Sequence, residues 1–179
     1  EYLGGDVFIG NPALQMSALE NYDLRLDYNP YAGGLVSVSY FHKDITNPIE
    51  YVQRSADFGF TTPVNYPDGV LDGYEVEVRQ EMGQFWEQVD GLSLGANATF
   101  IDSEVTVPES EIIGVDDPMT VRDMTNAPEY LYNLFLTYDM EKLGIAALTG
   151  TELGVFYTVE GDKLVEGALQ SNTNILPNV

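Results

Sequence analysis

Short segments in which apolar and polar residues alternate recur along this chain. In the clearest of them, Asn21 to Asn29, charged residues separate the apolar positions Tyr22, Leu24, Leu26 and Tyr28. Side chains of a β-strand point to alternate faces, so this segment predicts a strand with one apolar face. The same pattern starts again at Val36, Tyr74, Leu92, Tyr130 and Leu153. The alternation therefore predicts six strands, and the first two form a hairpin.

The connections between these segments alternate in length. Those around Pro30 to Gly34, Gly83 to Gly91 and Glu141 to Gly144 are short, whereas Thr46 to Gly69 and Ser103 to Ala127 are long. Outer-membrane barrels have short periplasmic turns and long extracellular loops. The predicted fold is therefore all-β, an antiparallel up-and-down transmembrane β-barrel to which this chain contributes six strands. The apolar face would then meet lipid, and the polar face would line the lumen.

Aromatic residues lie toward both ends of the predicted strands. Those toward the long connections are Tyr22, Tyr40, Tyr74, Phe100, Tyr130, Tyr132 and Tyr157, and those toward the short turns are Tyr28, Tyr31, Phe85, Trp86 and Tyr138. Amphipathic rings favour the two interfaces of a membrane. Tyrosine is also common in ordinary strands, which is the alternative interpretation. We interpret the aromatics as two interfacial girdles, because nearly every strand carries them at both ends.

Composition narrows the possible classes of protein. The 179 residues suit a single domain. A net charge of −22 makes nucleic-acid binding untenable, because phosphate contacts need a basic surface. The chain has no cysteine, which excludes disulfides and thiolate metal sites. No apolar run reaches the length of a transmembrane helix.

Both ends of the chain are abrupt. Glu1 to Gly10 lacks an initiating methionine and a signal peptide, and Leu176 to Val179 stops without a closing strand. Six strands alone would leave two open sheet edges, which hydrocarbon does not tolerate. We therefore expect residues 1–179 to be part of a larger barrel domain.

Several motifs, taken in order, resemble the barrel of TonB-dependent outer-membrane receptors. Asn-Pro-Ala-Leu at residues 11–14 precedes Asn-Tyr-Asp-Leu at residues 21–24, and Gly73, Glu75 and Glu77 fit a Gly-x-Glu-x-Glu strand. Ala127-Pro128 precedes Tyr132-Asn133-Leu134 as in the next descending strand of that family. The resemblance covers most of the chain and keeps the order and spacing of the family.

The resemblance implies a location and a function. It implies the bacterial outer membrane, with outer-membrane lipid around the barrel, and uptake of a scarce small ligand such as a ferric siderophore, cobalamin or a carbohydrate. TonB would be engaged through the plug region, which this chain lacks, and neither a cofactor nor an enzymatic activity is implied. The acidic loops would repel anionic ferric chelates, so the class of ligand stays open.

Residues with potential chemistry do not form a catalytic motif. His42 is the only histidine, so a zinc site of the usual kind is excluded and a Ser-His-Asp triad has no support. Glu75 and Glu77 could form the acid pair of a glycosidase, but we expect them to be part of a polar lumen wall. The acidic residues between Ser103 and Ala127 could bind Ca²⁺, although no EF-hand spacing occurs.

The candidate ligand-binding residues lie in the two long connections. Exposed aromatic side chains in loops often serve recognition, which selects Phe58, Phe60 and Tyr66. Asp116 and Asp117 in the second long connection complete the set. Two alternatives remain open, a passive porin-like barrel and a soluble β-rich carbohydrate-binding or hydrolytic domain. In the soluble domain, the apolar face would be a protein core.

Overall fold

The chain folds almost entirely into antiparallel strands. A computed structural model of the chain describes residues 2–3, 6–55, 59–113 and 115–167. The strands are β1 (Tyr2–Leu3), β2 (Asp6–Val7), β3 (Ala18–Tyr28), β4 (Gly34–Thr46), β5 (Ile49–Ser55), β6 (Gly59–Asn65), β7 (Asp68–Glu81), β8 (Leu92–Thr106), β9 (Val121–Arg122), β10 (Tyr130–Asp139) and β11 (Glu152–Glu160). The helical segments are one α-helical turn, α1 (Glu109–Ile112), and four 3-10 turns at Met82–Gln84, Glu87–Val89, Met140–Leu143 and Ala146–Leu148. No helix within the described ranges is long and apolar enough to cross a bilayer.

Six long strands form one continuous sheet in the order β3-β4-β7-β8-β10-β11. Every neighbouring pair in this order is antiparallel. Strands that are adjacent in the sheet are also consecutive in the chain, apart from a hairpin and a two-residue strand inserted in the long connections. This up-and-down meander confirms the six strands and the all-β class that the alternation predicts.

The long connections contain more structure than the sequence pattern indicates. The first of them, expected as a loop from Thr46 to Gly69, contains the hairpin β5–β6, whose strands pair from Ile49 with Asn65 to Ser55 with Gly59. The second was expected to begin at Ser103, but β8 continues to Thr106. This extension is stabilised because Ser103 and Val105 are buried. The loop also contains α1 and β9, and β9 pairs with the end of β8.

The two ends of the sheet differ, and we call them the long-loop end and the short-turn end. The connections 47–67 and 107–129 lie at the long-loop end, whereas 29–33, 82–91 and 140–151 lie at the short-turn end. Glycines with positive φ allow the tight turns, as at Gly33 (φ 67°) and Gly91 (φ 90°). The turn expected at Glu141 to Gly144 is the first part of the connection 140–151.

The strand register sorts the side chains of the main sheet onto two faces. Leu24, Tyr40, Tyr74, Phe100 and Tyr130 lie directly opposite one another along a row of the sheet. This apolar face is open to the surroundings: Leu26 is 73% exposed and Val155 is 59% exposed. No element in the described part of the chain packs over it.

The buried core lies instead at the long-loop end. It consists of Val52, Tyr66, Val105 and Val107, with Val64, Ile112 and Met124 packed against it. These residues come from β5, β6, the residue that follows β6, the end of β8 and the connection 107–129. We call this assembly, comprising the described residues 47–55, 59–67, 105–113, 115–129 and 161–167, the cap.

Phenylalanine rings cover glycines in neighbouring strands on the polar face. A Cβ added to Gly73 would lie 2.1 Å from the Phe41 ring and 2.7 Å from the Phe100 carbonyl oxygen. Gly95 is covered in the same way by Phe135, at 2.0 Å. The rings thus occupy the space that a side chain would take, which is a known device for supporting glycines within strands.

Gly73→Ala should therefore destabilise the sheet by about 1–3 kcal/mol, the usual cost of overpacking. The measurement is urea unfolding of the complete protein in detergent. Gly59→Ala is the matched control, because no atom lies within 4 Å of the added methyl group. Equal urea midpoints for the two variants would contradict a tight Gly73–Phe41 contact.

Candidate functional site

The aromatic residues near the long-loop end form a belt that crosses the sheet obliquely. Rings are in contact along it, with centroids 5.1 Å apart for Tyr40–Tyr74 and 5.8 Å apart for Phe100–Tyr132. The pairing register aligns every position of the sheet, strand by strand, with a residue of β7, and we call that residue number its level. Tyr22 is aligned with Asp72 on β7, whereas Tyr157 is aligned with Val78. The belt therefore moves by six residues, from level 72 to level 78, over five strand-to-strand steps.

This shift measures how far the strands tilt away from the perpendicular to the belt. With ~3.4 Å per residue and ~4.8 Å between strands, the shift corresponds to a tilt of about 40°. The second belt behaves similarly: Tyr28 on β3 is level with Val78, and Tyr138 on β10 lies four residues further toward the short turns over four steps. Two parallel aromatic belts at a tilt of about 35–45° are the geometry of a transmembrane barrel wall.

The cap is assembled around the β5–β6 hairpin from segments that are distant in sequence. On one side, Phe8 bridges Thr61 in parallel, and the Ile9 N–H donates to the Thr61 carbonyl at 2.9 Å. On the other side, Gly167 donates its N–H to the Tyr51 carbonyl at 2.7 Å and accepts from the N–H of Gln53 at 2.9 Å. The hairpin thus gains a neighbouring segment on each edge.

A buried ion pair holds the two long connections together. Glu50 is only 1% exposed. Its Oε2 accepts from Arg122 Nη1 at 2.8 Å and from the Thr125 N–H at 3.0 Å. Arg122 is itself 10% exposed, and its guanidinium lies over the Tyr66 ring with Cζ 4.9 Å from the ring centroid. A buried carboxylate is tolerated only with such partners, so this contact fixes the connections 47–67 and 107–129 relative to each other.

Tyr66 lies at the centre of this contact. Its hydroxyl donates to Glu111 Oε2 at 2.7 Å, and Glu111 also accepts from Arg54. Burial raises the pKa of Tyr66 to about 12, an effect that Glu111 reinforces and Arg122 opposes. The phenol therefore stays neutral and donates its hydrogen bond throughout the physiological range.

The candidate ligand-binding residues fall in three different environments. Phe58 lies outside the described residues. Phe60 is half-buried in β6, and Asp116 and Asp117 are exposed on the connection 107–129. Tyr66 is 2% exposed, so the expectation of an exposed ring is wrong for Tyr66. The ring is buried because it packs with Val105 and under Arg122. A binding role for the five residues stays a prediction.

The exposed charge of the cap is negative. Its basic side chains Arg54, Arg122 and Lys163 form ion pairs with Glu111, Glu50 and Glu160. Six acidic residues of the described cap are exposed to solvent: Glu109, Asp116, Asp117, Asp123, Glu129 and Asp162. Neither Glu50 nor Arg122 was predicted to be functional, although Arg122 stands among acidic residues in a chain with only seven lysines and arginines. A single base among acidic residues was the signal in the sequence that could have identified Arg122.

The other candidate residues lie in the wall of the sheet. His42 is half-buried on the apolar face, with Nδ1 2.8 Å from Asp72 and Nε2 3.3 Å from Asp44. Glu77 accepts from Arg25 on the polar face at 2.8 Å. Within the described residues, no group of three or more histidine or acidic side chains is placed to hold a metal ion.

The comparison with known families agrees with this geometry. The tilted wall, the two aromatic belts and the alternating connections define part of a transmembrane β-barrel. Residues 1–177 match the family model described as TonB-dependent receptor-like β-barrel, and the chain belongs to this family. Comparisons with curated proteins and with solved structures gave no match. The family consists of receptors and transporters of the bacterial outer membrane, so the long-loop end is extracellular and the short-turn end is periplasmic.

Arg122→Met should open the cap, because it leaves the Glu50 carboxylate buried without its charged partner. Breaking a buried ion pair from one side costs about 3–5 kcal/mol. We expect faster protease cleavage within residues 107–129 of the full-length receptor, with the barrel still assembled. Lys142→Met is the matched control, because it removes an exposed ion pair with Asp90 at the periplasmic end. Adding Glu50→Leu to Arg122→Met should restore protection, and unchanged cleavage in Arg122→Met would contradict the role of this contact.

The stability of the cap should also fall in alkaline solution. The folded-state pKa of Tyr66 is about 12, above its ordinary value of 10.0, so the folded cap keeps its proton after the unfolded chain loses it. The stabilising contribution is therefore fully present below pH 10 and is lost as the pH rises from 10 toward 12. Hydrogen exchange of cap amides measures this change against Tyr66→Phe. If the wild-type cap and the Tyr66→Phe cap weaken equally over this interval, the titration of Tyr66 is not the cause.

Proposed function

We propose that this protein takes up a scarce small ligand across the outer membrane by TonB-dependent transport, with a ferric siderophore as the first candidate ligand. Residues 1–179 supply part of the barrel domain, both wall and extracellular cap. TonB is engaged through a plug region outside the chain. The family membership supports a receptor and transport function. The observation that supports ligand recognition at the extracellular end is the folded cap located there.

The charge of the cap narrows the class of ligand that we propose. Every basic side chain of the described cap is already paired, whereas several carboxylates face solvent. A negative surface slows the approach of anions and favours cations. We therefore favour neutral or cationic complexes over polyanionic ferric chelates. Cobalamin and carbohydrates remain within the proposed range.

Passive diffusion through a porin-like barrel is the competing function. The two mechanisms differ in their need for energy, because only TonB-dependent uptake stops when the inner-membrane proton gradient is collapsed. Uptake of labelled ligand by cells that carry the full-length receptor, before and after a protonophore, separates them. Uptake that survives the protonophore would contradict the proposal.

Removal of residues 108–119 tests recognition by the cap. The Val107 N–H donates to the Thr120 carbonyl at 2.8 Å, so the two ends of this segment are adjacent and a short glycine linker can join them. Uptake of the labelled ligand should be lost while the barrel still assembles in the outer membrane. Normal uptake by an assembled deletion variant would mean that the ligand is recognised elsewhere.

Neutralising exposed acids should reveal the charge of the preferred ligand. Asp117→Asn with Asp123→Asn should slow association of a cationic ligand by about two- to fivefold, and accelerate that of an anionic one by a similar factor. Glu87→Gln with Asp90→Asn is the matched control, since this pair also removes two exposed negative charges, but at the periplasmic end. Association rates measured at low and high salt decide the outcome. Faster binding of an anionic chelate to the wild-type receptor than to the double variant would refute the charge argument.

A further inference from the structure

The cap lies on the lumen side of the wall. Gly69 on β7 and Ser103 and Val105 on β8 alternate with the lipid-facing residues of those strands, so they belong to the lumen face. All three are buried, and a Cβ added to Gly69 would lie 3.3 Å from Pro48 and 3.4 Å from Met124 in the cap. The cap therefore covers the lumen face at the extracellular end and stands beside the entrance to the lumen.

The part of the cap that follows β11, residues 161–167, connects the two long connections, and we call it the strap. Its carbonyl groups accept hydrogen bonds from the N–H groups of Asn126 (2.7 Å) and Glu129 (3.2 Å) in the second long connection. At its end, Gly167 donates to Tyr51 and accepts from Gln53 on the edge of the hairpin β5–β6. The strap thus joins the two connections without contributing to their buried core.

The end of the strap covers the Glu50–Arg122 ion pair. Gly167 is buried, and a Cβ added to it would lie 2.9 Å from Nη2 and 3.2 Å from Cζ of Arg122. A residue with a side chain at this position would have to displace the guanidinium or the strap. Water reaches the ion pair when the strap leaves, and the attraction between two charges is much weaker in water than in a buried site.

The strap itself is held by weak interactions. It buries little apolar surface, since Val165 is 60% exposed and Asp162 and Lys163 are exposed as well. Segments that are held by exposed backbone hydrogen bonds and few apolar contacts open at the lowest cost in free energy. The strap should therefore detach before the buried core of the cap opens.

Like charges oppose the docking of the strap. Asp162 of the strap lines a concavity of about 450 Å³ together with Asp102, Asp123 and Glu129. Lys163 also lines this concavity, but its charge is already matched by an ion pair with the end of β11. Four carboxylates around one concavity repel one another. The strap is therefore docked by backbone hydrogen bonds against an electrostatic cost, and modest changes in either should shift its position.

We propose that the strap is a latch that controls whether the rest of the cap stays closed over the lumen face. The docked strap seals the Glu50–Arg122 pair and ties the hairpin to the second long connection. Release of the strap lets water weaken that pair, and the two connections then open as one unit because they share a single core. The latch follows from the fold of the cap, whereas its role in admitting ligand rests on the proposed transport function.

Thiol labelling of the purified full-length receptor measures how often the cap opens. Residues 1–179 contain no cysteine, so Val105→Cys places one thiol in the cap core, at a position that is 0% exposed. N-ethylmaleimide reacts with this thiol while the cap is open, and mass spectrometry of the peptide that contains position 105 gives the rate. Gly167→Ala should raise the rate by about tenfold, because the added methyl group forces the strap away from Arg122.

A second variant should act in the opposite direction. Asp162→Asn removes one of the four like charges but keeps the backbone carbonyl that accepts from Glu129, so it should slow labelling by about twofold. Gly10→Ala is the matched control for Gly167→Ala. It adds the same methyl group next to the segment on the other edge of the hairpin, where no atom lies within 4 Å of the new Cβ.

The proposal is overturned if Gly167→Ala is labelled no faster than Gly10→Ala, or if Asp162→Asn is labelled as fast as the parent receptor or faster. Only receptor with an assembled barrel is counted, so misfolded protein does not enter the rates. Labelling needs neither ligand nor energy, and it therefore stays informative if the transport proposal fails. Conversely, uptake that stops with a protonophore, combined with labelling that ignores Gly167→Ala, would refute the latch alone.

Discussion

The backbone hydrogen-bond ladder of the six-stranded sheet is the interaction on which the rest of the structure depends. In hydrocarbon no water is present to satisfy an N–H or C=O group, so each must find a partner within the protein. The ladder provides those partners between every pair of neighbouring strands. Once its register is set, the face of every side chain follows from the period of two. Lipid contact, lumen lining and strand tilt all result from that one constraint.

Wall and cap are stabilised by different physical means. The wall has no protein core on its apolar side, where residues such as Leu24 (71% exposed) are stabilised by lipid. The cap, in contact with water, is held by a small buried core and by the Glu50–Arg122 pair. Strand β8 belongs to both, since its middle lies in the wall and Val105 near its end is fully buried in the cap. The wall thus positions the cap through β8.

The features that could be predicted from the sequence are those that depend on residues close to one another along the chain. Tyr22 to Tyr28 alternate with charges, so their strand and its faces could be derived locally. The burial of Tyr66 could not be derived locally. It results from packing with Val105, Glu111 and Arg122, which lie much later in the chain. The Glu50–Arg122 contact joins residues 72 positions apart, and no periodicity signals it. The hairpin β5–β6 was missed for another reason: Pro63 and irregular polar positions hide its alternation.

The interlocking of the cap restricts how the extracellular surface of this receptor can diversify. Residues from the connections 47–67 and 107–129 share one small core, and the segment after β11 is joined to both connections by hydrogen bonds. A loop taken alone from a relative would bring an arginine without its buried acid, or an acid without its arginine. New specificity would have to arise by coordinated replacement of all three segments, or by changes confined to their outermost exposed side chains.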